Sequence, residues 1–299
     1  MIAKKLFMTI LFSFSILITV TTQSTVKQEP DTPIRPDDDS KTYASLIDQL
    51  ATDGFDRTHL LEIFADPRVK FLDKVLEMNL INRDINVDYS HFLNNRSVQH
   101  AKQFLDKERP FLSNVEKQFE VEKEIVVSIL CIESAFGKRT GENTIFNVFS
   151  TLSLATNPDI VEGSYHNLKK NHPHISLDEI RERAGKKATW AYQELKHLLT
   201  IAEQENIDVF RIKGSWAGAF GIAQFLPSSY VRYALDGNND QKVRLFNRYD
   251  SMVSVANYLK KNGWNSGLSH KRKRSIIRRY NNSTPYIDTV LELSEKISS

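Results

Sequence analysis

The sequence predicts a mainly α-helical protein with little or no β-sheet. Apolar residues recur at three- and four-residue spacing along most of the chain after residue 40, and no stretch shows a convincing strand-like alternation. A third observation is the run "VVSILCIESAFG" at 126–137, almost wholly apolar and long enough to be a buried helix. With 299 residues and 40% hydrophobic content, the chain can bury one large core or two smaller ones.

Taken in order, residues 1–23 form a leader: Lys4 and Lys5 precede an apolar run from Leu6 to Val20, followed by small polar residues. This is the pattern of a signal peptide, with an uncleaved membrane anchor as the alternative, and it predicts export to the periplasm or cell envelope. Residues 24–40 are polar and bear prolines, as a flexible linker would. A helical N-terminal region is expected over 41–120, carried by "TYASLIDQLATDGF", "RVKFLDKVLEMNLI" and "AKQFLDKERPFLSNVEKQF". The remainder, 121–299, holds the helix around residue 130, the helical "KKATWAYQELKHLLTIAEQEN", a glycine-rich stretch "KGSWAGAFGIAQFLPSSY", and "SMVSVANYLKKNGW" with a C-cap glycine at Gly263. Residues 159–185 are expected to form a surface loop, whose His166, His172 and His174 lack a metal-ligand frame.

Composition excludes several functions. Cys131 is the single cysteine, so no intrachain disulfide forms, and no leader cysteine is available for lipid modification. A formal net charge of only +3, two units of it from the leader lysines, gives no basis for nucleic-acid binding. The exception is local: "HKRKRSIIRR", His270–Arg279, is strongly basic. It reads as a solvated helix face or, alternatively, as a surface attracted to an anionic envelope polymer or lipid.

Within the apolar helix, Val126, Ile129, Leu130 and Glu133 follow i, i+3, i+4, i+7 spacing, so the acid shares a stripe with core residues. Withdrawal from water disfavours the charged carboxylate and raises its pKa toward the range of a general acid. The competing reading pairs Glu133 with Lys138 or Arg139 at the helix end. In "GSWAGAFGIAQF", glycines permit close backbone approach while Ser215 and Gln224 offer neutral hydrogen-bonding groups, which suit sugar hydroxyls and amides. A tight helix-packing loop is the alternative, and neither a phosphate loop nor a dinucleotide fingerprint is present.

The motifs "IVVSILCIESAFGKRTG", "TLSLAT", "IKGSWAGAFGIAQFLPSSY", "SVANYLKKNGW" and "RRYNNSTPY", in that order, resemble those of the lytic murein transglycosylase B family, from about Tyr43 to Ile297. The resemblance implies a lysozyme-like core, with Glu133 as sole catalytic residue and Ser215, Gln224, Tyr258, Tyr280, Asn281 and Tyr286 around the substrate. Tyr258 and Tyr280 could equally be core aromatics. The implied substrate is the peptidoglycan glycan strand, cut between N-acetylmuramic acid and N-acetylglucosamine to leave a 1,6-anhydromuramyl end, by a monomer that requires no cofactor. A goose-type lysozyme-like hydrolase and a non-catalytic peptidoglycan-binding protein are the alternatives.

Two features depart from the family. Only fifteen residues, Asn265–Arg279, separate Trp264 from Tyr280, too few for the β-rich lobe of longer members. The segment "DGNNDQKVRLFNRYD" has oxygen side chains at alternate positions, and Asp236, Asn238, Asp240, the Lys242 carbonyl and Asp250 make a candidate structural calcium site. Gln241 stands where such loops have glycine and Asn247 where they have glutamate, so a polar Asn-rich turn is the alternative.

Overall fold

Burial explains the most apolar helix first. In the computed structural model, which describes residues 39–81 and 88–298, α5 (Lys123–Ser134) has Ile125 through Ile132 all buried. It is surrounded by α4 (Asn95–Phe119), α10 (Arg248–Lys261) and α12 (Thr284–Ser298), so it needs no polar face. Burial pushes the Cys131 thiol up to about 12, which leaves it an inert packing group. Its end is abrupt: Ala135, Phe136 and Gly137 all take positive φ, and the Phe136 amide closes back on the Leu130 carbonyl at 3.1 Å.

The described residues fall in two compact units. In residues 39–70, α1 (Asp39–Thr52) packs on α2 (Arg57–Phe64), with the Tyr43 and Phe64 rings 5.2 Å apart and Asp56 capping α2. Residues 71–298 form the second unit, from α3 (Asp73–Leu80) onward. Here α4, which precedes the boundary expected at residue 120, packs against α5, α10 and α12. Pro110 lies inside α4 without ending it.

The other half of this unit is built on α6 (Ile145–Ser153) and the long α8 (Leu177–Gln204). The surface loop expected at 159–185 is corrected: Pro158–Asn171 is helix α7, and α8 begins at Leu177. Both helices carry start signals, Asn157 capping ahead of Pro158 and a Ser176/Glu179 capping box. Among the described residues, sheet is confined to β1 (Asn143–Thr144) and β2 (Lys213–Gly214), paired antiparallel with Asn143 opposite Gly214. That crossing needs glycine, because a Cβ at Gly214 would lie 2.1 Å from the Ala219 carbonyl oxygen. Helices α9 (Pro227–Tyr233) and α11 (His270–Tyr280) complete the twelve among the described residues.

Candidate functional site

Glu133 sits on the last turn of α5, partly exposed, where the helix leaves the core. Its Oε1 accepts a hydrogen bond from the Tyr286 hydroxyl at 2.7 Å; no ion pair to Lys138 or Arg139 forms. Burial pushes the carboxyl up to about 8, an effect only partly offset by the Tyr286 hydrogen bond. The acid is therefore largely protonated at neutral pH and has a proton to give.

Its neighbour fixes it to the glycine-rich segment. The Ser134 hydroxyl donates to the Ile222 carbonyl at 2.7 Å and accepts from the Gly137 amide at 2.9 Å. Two residues on, Gln224 takes φ of 50°, and its amide donates to the carbonyls of Thr140 at 3.1 Å and Gly221 at 2.8 Å. The Gln224 Oε1 is buried without a partner among the described residues. Between them, the Ala223 carbonyl accepts from the Tyr280 hydroxyl at 2.6 Å. Tyr280 stacks edge-on against Tyr258 at 4.8 Å, and both rings lie within 6 Å of Phe225. The Tyr258 hydroxyl donates to the Arg279 carbonyl at 2.6 Å.

Burial raises the pKa values of Tyr280 and Tyr286, and both also feel the charge of Glu133. These tyrosines therefore surround the acid as neutral hydroxyls and rings. Asn281 follows Tyr280, is 1% exposed, and leaves both Oδ1 and Nδ2 unpaired among the described residues. Orphaned buried polar atoms each cost about 1–3 kcal/mol and tend to persist where function requires them. Ser215 is equally buried, and its Oγ accepts from the Ala219 amide at 3.2 Å, bracing the turn that carries Trp216 and Gly218.

Tyr89 joins this group without having been expected. Its ring meets Tyr286 edge-on at 5.7 Å and backs the tyrosine that touches Glu133. No local signal marks it, because its partner is almost two hundred residues away in the chain.

The candidate calcium loop is self-contained. Asp236 accepts from the amides of Asn238 and Gln241, Asp240 from the Lys242 amide, and Asp250 from the amides of Gly237 and Arg244. The Arg244 guanidinium also holds Asp240 at 3.0 Å. Among the described residues no group of three His, Cys, Asp or Glu side chains is placed to hold a metal. The loop is held together without a metal ion: every one of these carboxylate oxygens accepts an N–H, and the Arg244 guanidinium pairs with Asp240.

The chain is 29% identical over 237 residues to the membrane-bound lytic murein transglycosylase B of Escherichia coli, covering 74% of this chain and 57% of that protein. It thus spans little more than half the length of that relative. Among solved structures, the Escherichia coli lytic transglycosylase Slt35 in complex with bulgecin A matches with a TM-score of 0.68 at 25% identity, over 86% of this chain and 92% of that one. A structure of Slt35 with calcium matches at 0.66 and 24% identity, over the same shares. Pseudomonas aeruginosa SltB3, in complex with NAG-anhNAM-pentapeptide, shares the fold with a TM-score of 0.67 at 19% identity, over 87% and 79%. The transglycosylase SLT domain family matches residues 38–276, four-fifths of the sequence, a span that holds Glu133, Ser215, Gln224 and Tyr258 and ends before Tyr280, Asn281 and Tyr286, and the chain belongs to that family.

Proposed function

We propose that the protein is a peptidoglycan lytic transglycosylase in which Glu133 is the single catalytic acid and base. The observation that carries this reading is a carboxyl held at about 8 by burial, with a tyrosine hydroxyl as its one partner and no second carboxylate acting on it among the described residues. Ordinary glycosidases place two carboxylates about 5–10 Å apart. With a single acid and no carboxylate nucleophile, the nucleophile in this reading is the substrate's own.

Protonated Glu133 gives its proton to the oxygen joining C1 of N-acetylmuramic acid to N-acetylglucosamine, and the C1–O bond breaks. The resulting carboxylate then accepts the proton of the muramyl C6 hydroxyl as O6 bonds to C1. One bond breaks, one forms, the proton is returned, and no water is consumed. Tethering the nucleophile to the reacting sugar supplies the proximity an external group would lack. Tyr286 stabilises the carboxylate between the two steps. Gln224 and Asn281 supply neutral polar atoms for the N-acetyl and hydroxyl groups, and Tyr258 and Tyr280 form an aromatic wall. Ser215 shapes the backbone of the same wall. No cofactor takes part.

Residues 41–120 and 121–299 are proposed as helical N-terminal region and lysozyme-like catalytic core. The leader, which lies outside the described residues, supports placement in the periplasm or cell envelope, with residues 1–23 as signal peptide or anchor. No described helix is long and apolar enough to cross a membrane. A monomer suffices, since every proposed site residue belongs to one chain. Incubating purified sacculi with the wild type and Glu133→Gln tests the reading: the wild type should solubilise them and the variant should bind without cutting. Solubilisation by the variant would remove Glu133 from the chemistry.

A further inference from the structure

Helix α11 is the strongest concentration of charge on the molecule. From His270 to Tyr280 it carries six lysines and arginines and no acid. Two of them are anchored in the unit: Lys273 bonds Glu122 at 2.6 Å, and Arg274 pairs with Asp288. Lys271, Arg272, Arg278 and Arg279 remain exposed, and none meets a carboxylate among the described residues. With Ser275, these four lie on one helical face, at i, i+1, i+7 and i+8, while Ile276 and Ile277 turn into the core. The two pairs stand about 10 Å apart along the axis, two turns of helix. Repulsion within such a face is unfavourable unless an anion occupies it.

This face adjoins the candidate site. Arg278 and Arg279 immediately precede Tyr280, and the Arg279 carbonyl accepts the Tyr258 hydroxyl. Arg278 otherwise reaches only the neutral side chains of Asn282 and Thr284, and Arg279 that of Asn262. The exposed face has no apolar residue, which argues against insertion into a lipid surface, where an amphipathic helix must present one. A glycan strand presents neutral sugars, but its stem peptides carry free carboxylates.

We propose that the Lys271, Arg272, Arg278 and Arg279 face of α11 is a secondary docking surface for the stem-peptide carboxylates of the glycan strand held in the Glu133 site. This rests on the transglycosylase reading above and deepens it: the enzyme would prefer peptide-bearing strands over strands stripped of peptide, through charge and at a distance from the reacting bond. Recognition of this kind is screened by salt and acts mainly on substrate capture.

The test compares the wild type with a Lys271→Gln, Arg272→Gln, Arg278→Gln variant on two substrates, peptide-bearing strands and the same strands denuded by an amidase. The wild type should show the lower KM on peptide-bearing strands, and added salt should erase the difference. The variant should raise that KM roughly tenfold, a factor that three weakened surface ion contacts can supply, with kcat unchanged and denuded strands cut as by the wild type. An equal KM ratio in wild type and variant overturns the proposal. So does a variant whose only defect is weaker binding to phosphatidylglycerol vesicles, which would identify a membrane surface instead. Should neither protein cut either substrate, the transglycosylase reading itself has failed. Salt-dependent retention on peptide-bearing but not denuded sacculi then still decides the role of the face.

Discussion

Tyr286 on α12 donates its hydroxyl to Glu133 on α5 across 153 residues of sequence, at 2.7 Å. Two opposed effects meet at that bond. Desolvation favours the protonated acid, whereas the tyrosine favours the carboxylate. The balance leaves a carboxyl near 8, largely protonated at neutral pH and able to give up and regain a proton there.

Tyr286→Phe keeps the ring packed against Tyr89 and removes only the hydrogen bond. That bond lowers the Glu133 pKa, so its loss raises it. The alkaline limb of the kcat/KM profile, where the acid loses its proton, should move to higher pH. The carboxylate formed during the reaction also loses its donor, and kcat should fall about 10- to 100-fold, the worth of a hydrogen bond to a charged group. An unchanged limb would mean that Glu133 does not govern it.

Glu133→Gln should separate activity from stability. With the folded pKa at about 8 and an ordinary unfolded value near 4.5, the native state binds more protons than the unfolded state between those limits. Wild-type stability therefore falls as pH rises through that window, at up to about 1.4 kcal/mol per unit. The amide carries no such penalty. Its Tm should match the wild type near pH 4.5 and exceed it by up to about 10–20 °C above pH 8, at roughly 2–4 °C per kcal/mol for a domain of this size. Parallel Tm profiles from pH 4.5 to 9 would contradict a desolvated acid.

Ser134→Ala removes both bonds of a hydroxyl that is 1% exposed. The Ile222 carbonyl and Gly137 amide are left unpaired, which should cost about 1–3 kcal/mol in denaturant unfolding. Because the same bonds hold the end of α5 to the segment bearing Gln224, kcat should fall more than KM rises. A KM effect alone would limit Ser134 to shaping substrate binding.

Much of this arrangement was legible in the sequence, for identifiable reasons. The stripe of Val126, Ile129 and Leu130 with Glu133 carries its own periodicity, and the structure buries it as that spacing requires. The polar character of Pro158–Asn171 hid a helix whose Asn157 cap and N1 proline were nonetheless present in the letters. Tyr89 and Ser134 were not legible, since a ring backing Tyr286 and a hydroxyl bridging to Ile222 depend on tertiary approach. Gly218 marks the limit of local reading: its positive φ fits a turn, yet the ring of Phe149 that a Cβ would strike at 2.1 Å comes from α6. The Asp236–Asp250 segment shows a metal-like spacing that the fold satisfies with its own amides and Arg244.

The most direct test of a lone acid that recruits the nucleophile from its substrate is the chemistry of the cut end. Muropeptides released from purified sacculi should be resolved by mass spectrometry, without prior reduction. The account predicts 1,6-anhydromuramyl ends, one water lighter than hydrolysis products, from the wild type and none from Glu133→Gln. Reducing muramic acid ends would show that water is the nucleophile and contradict it.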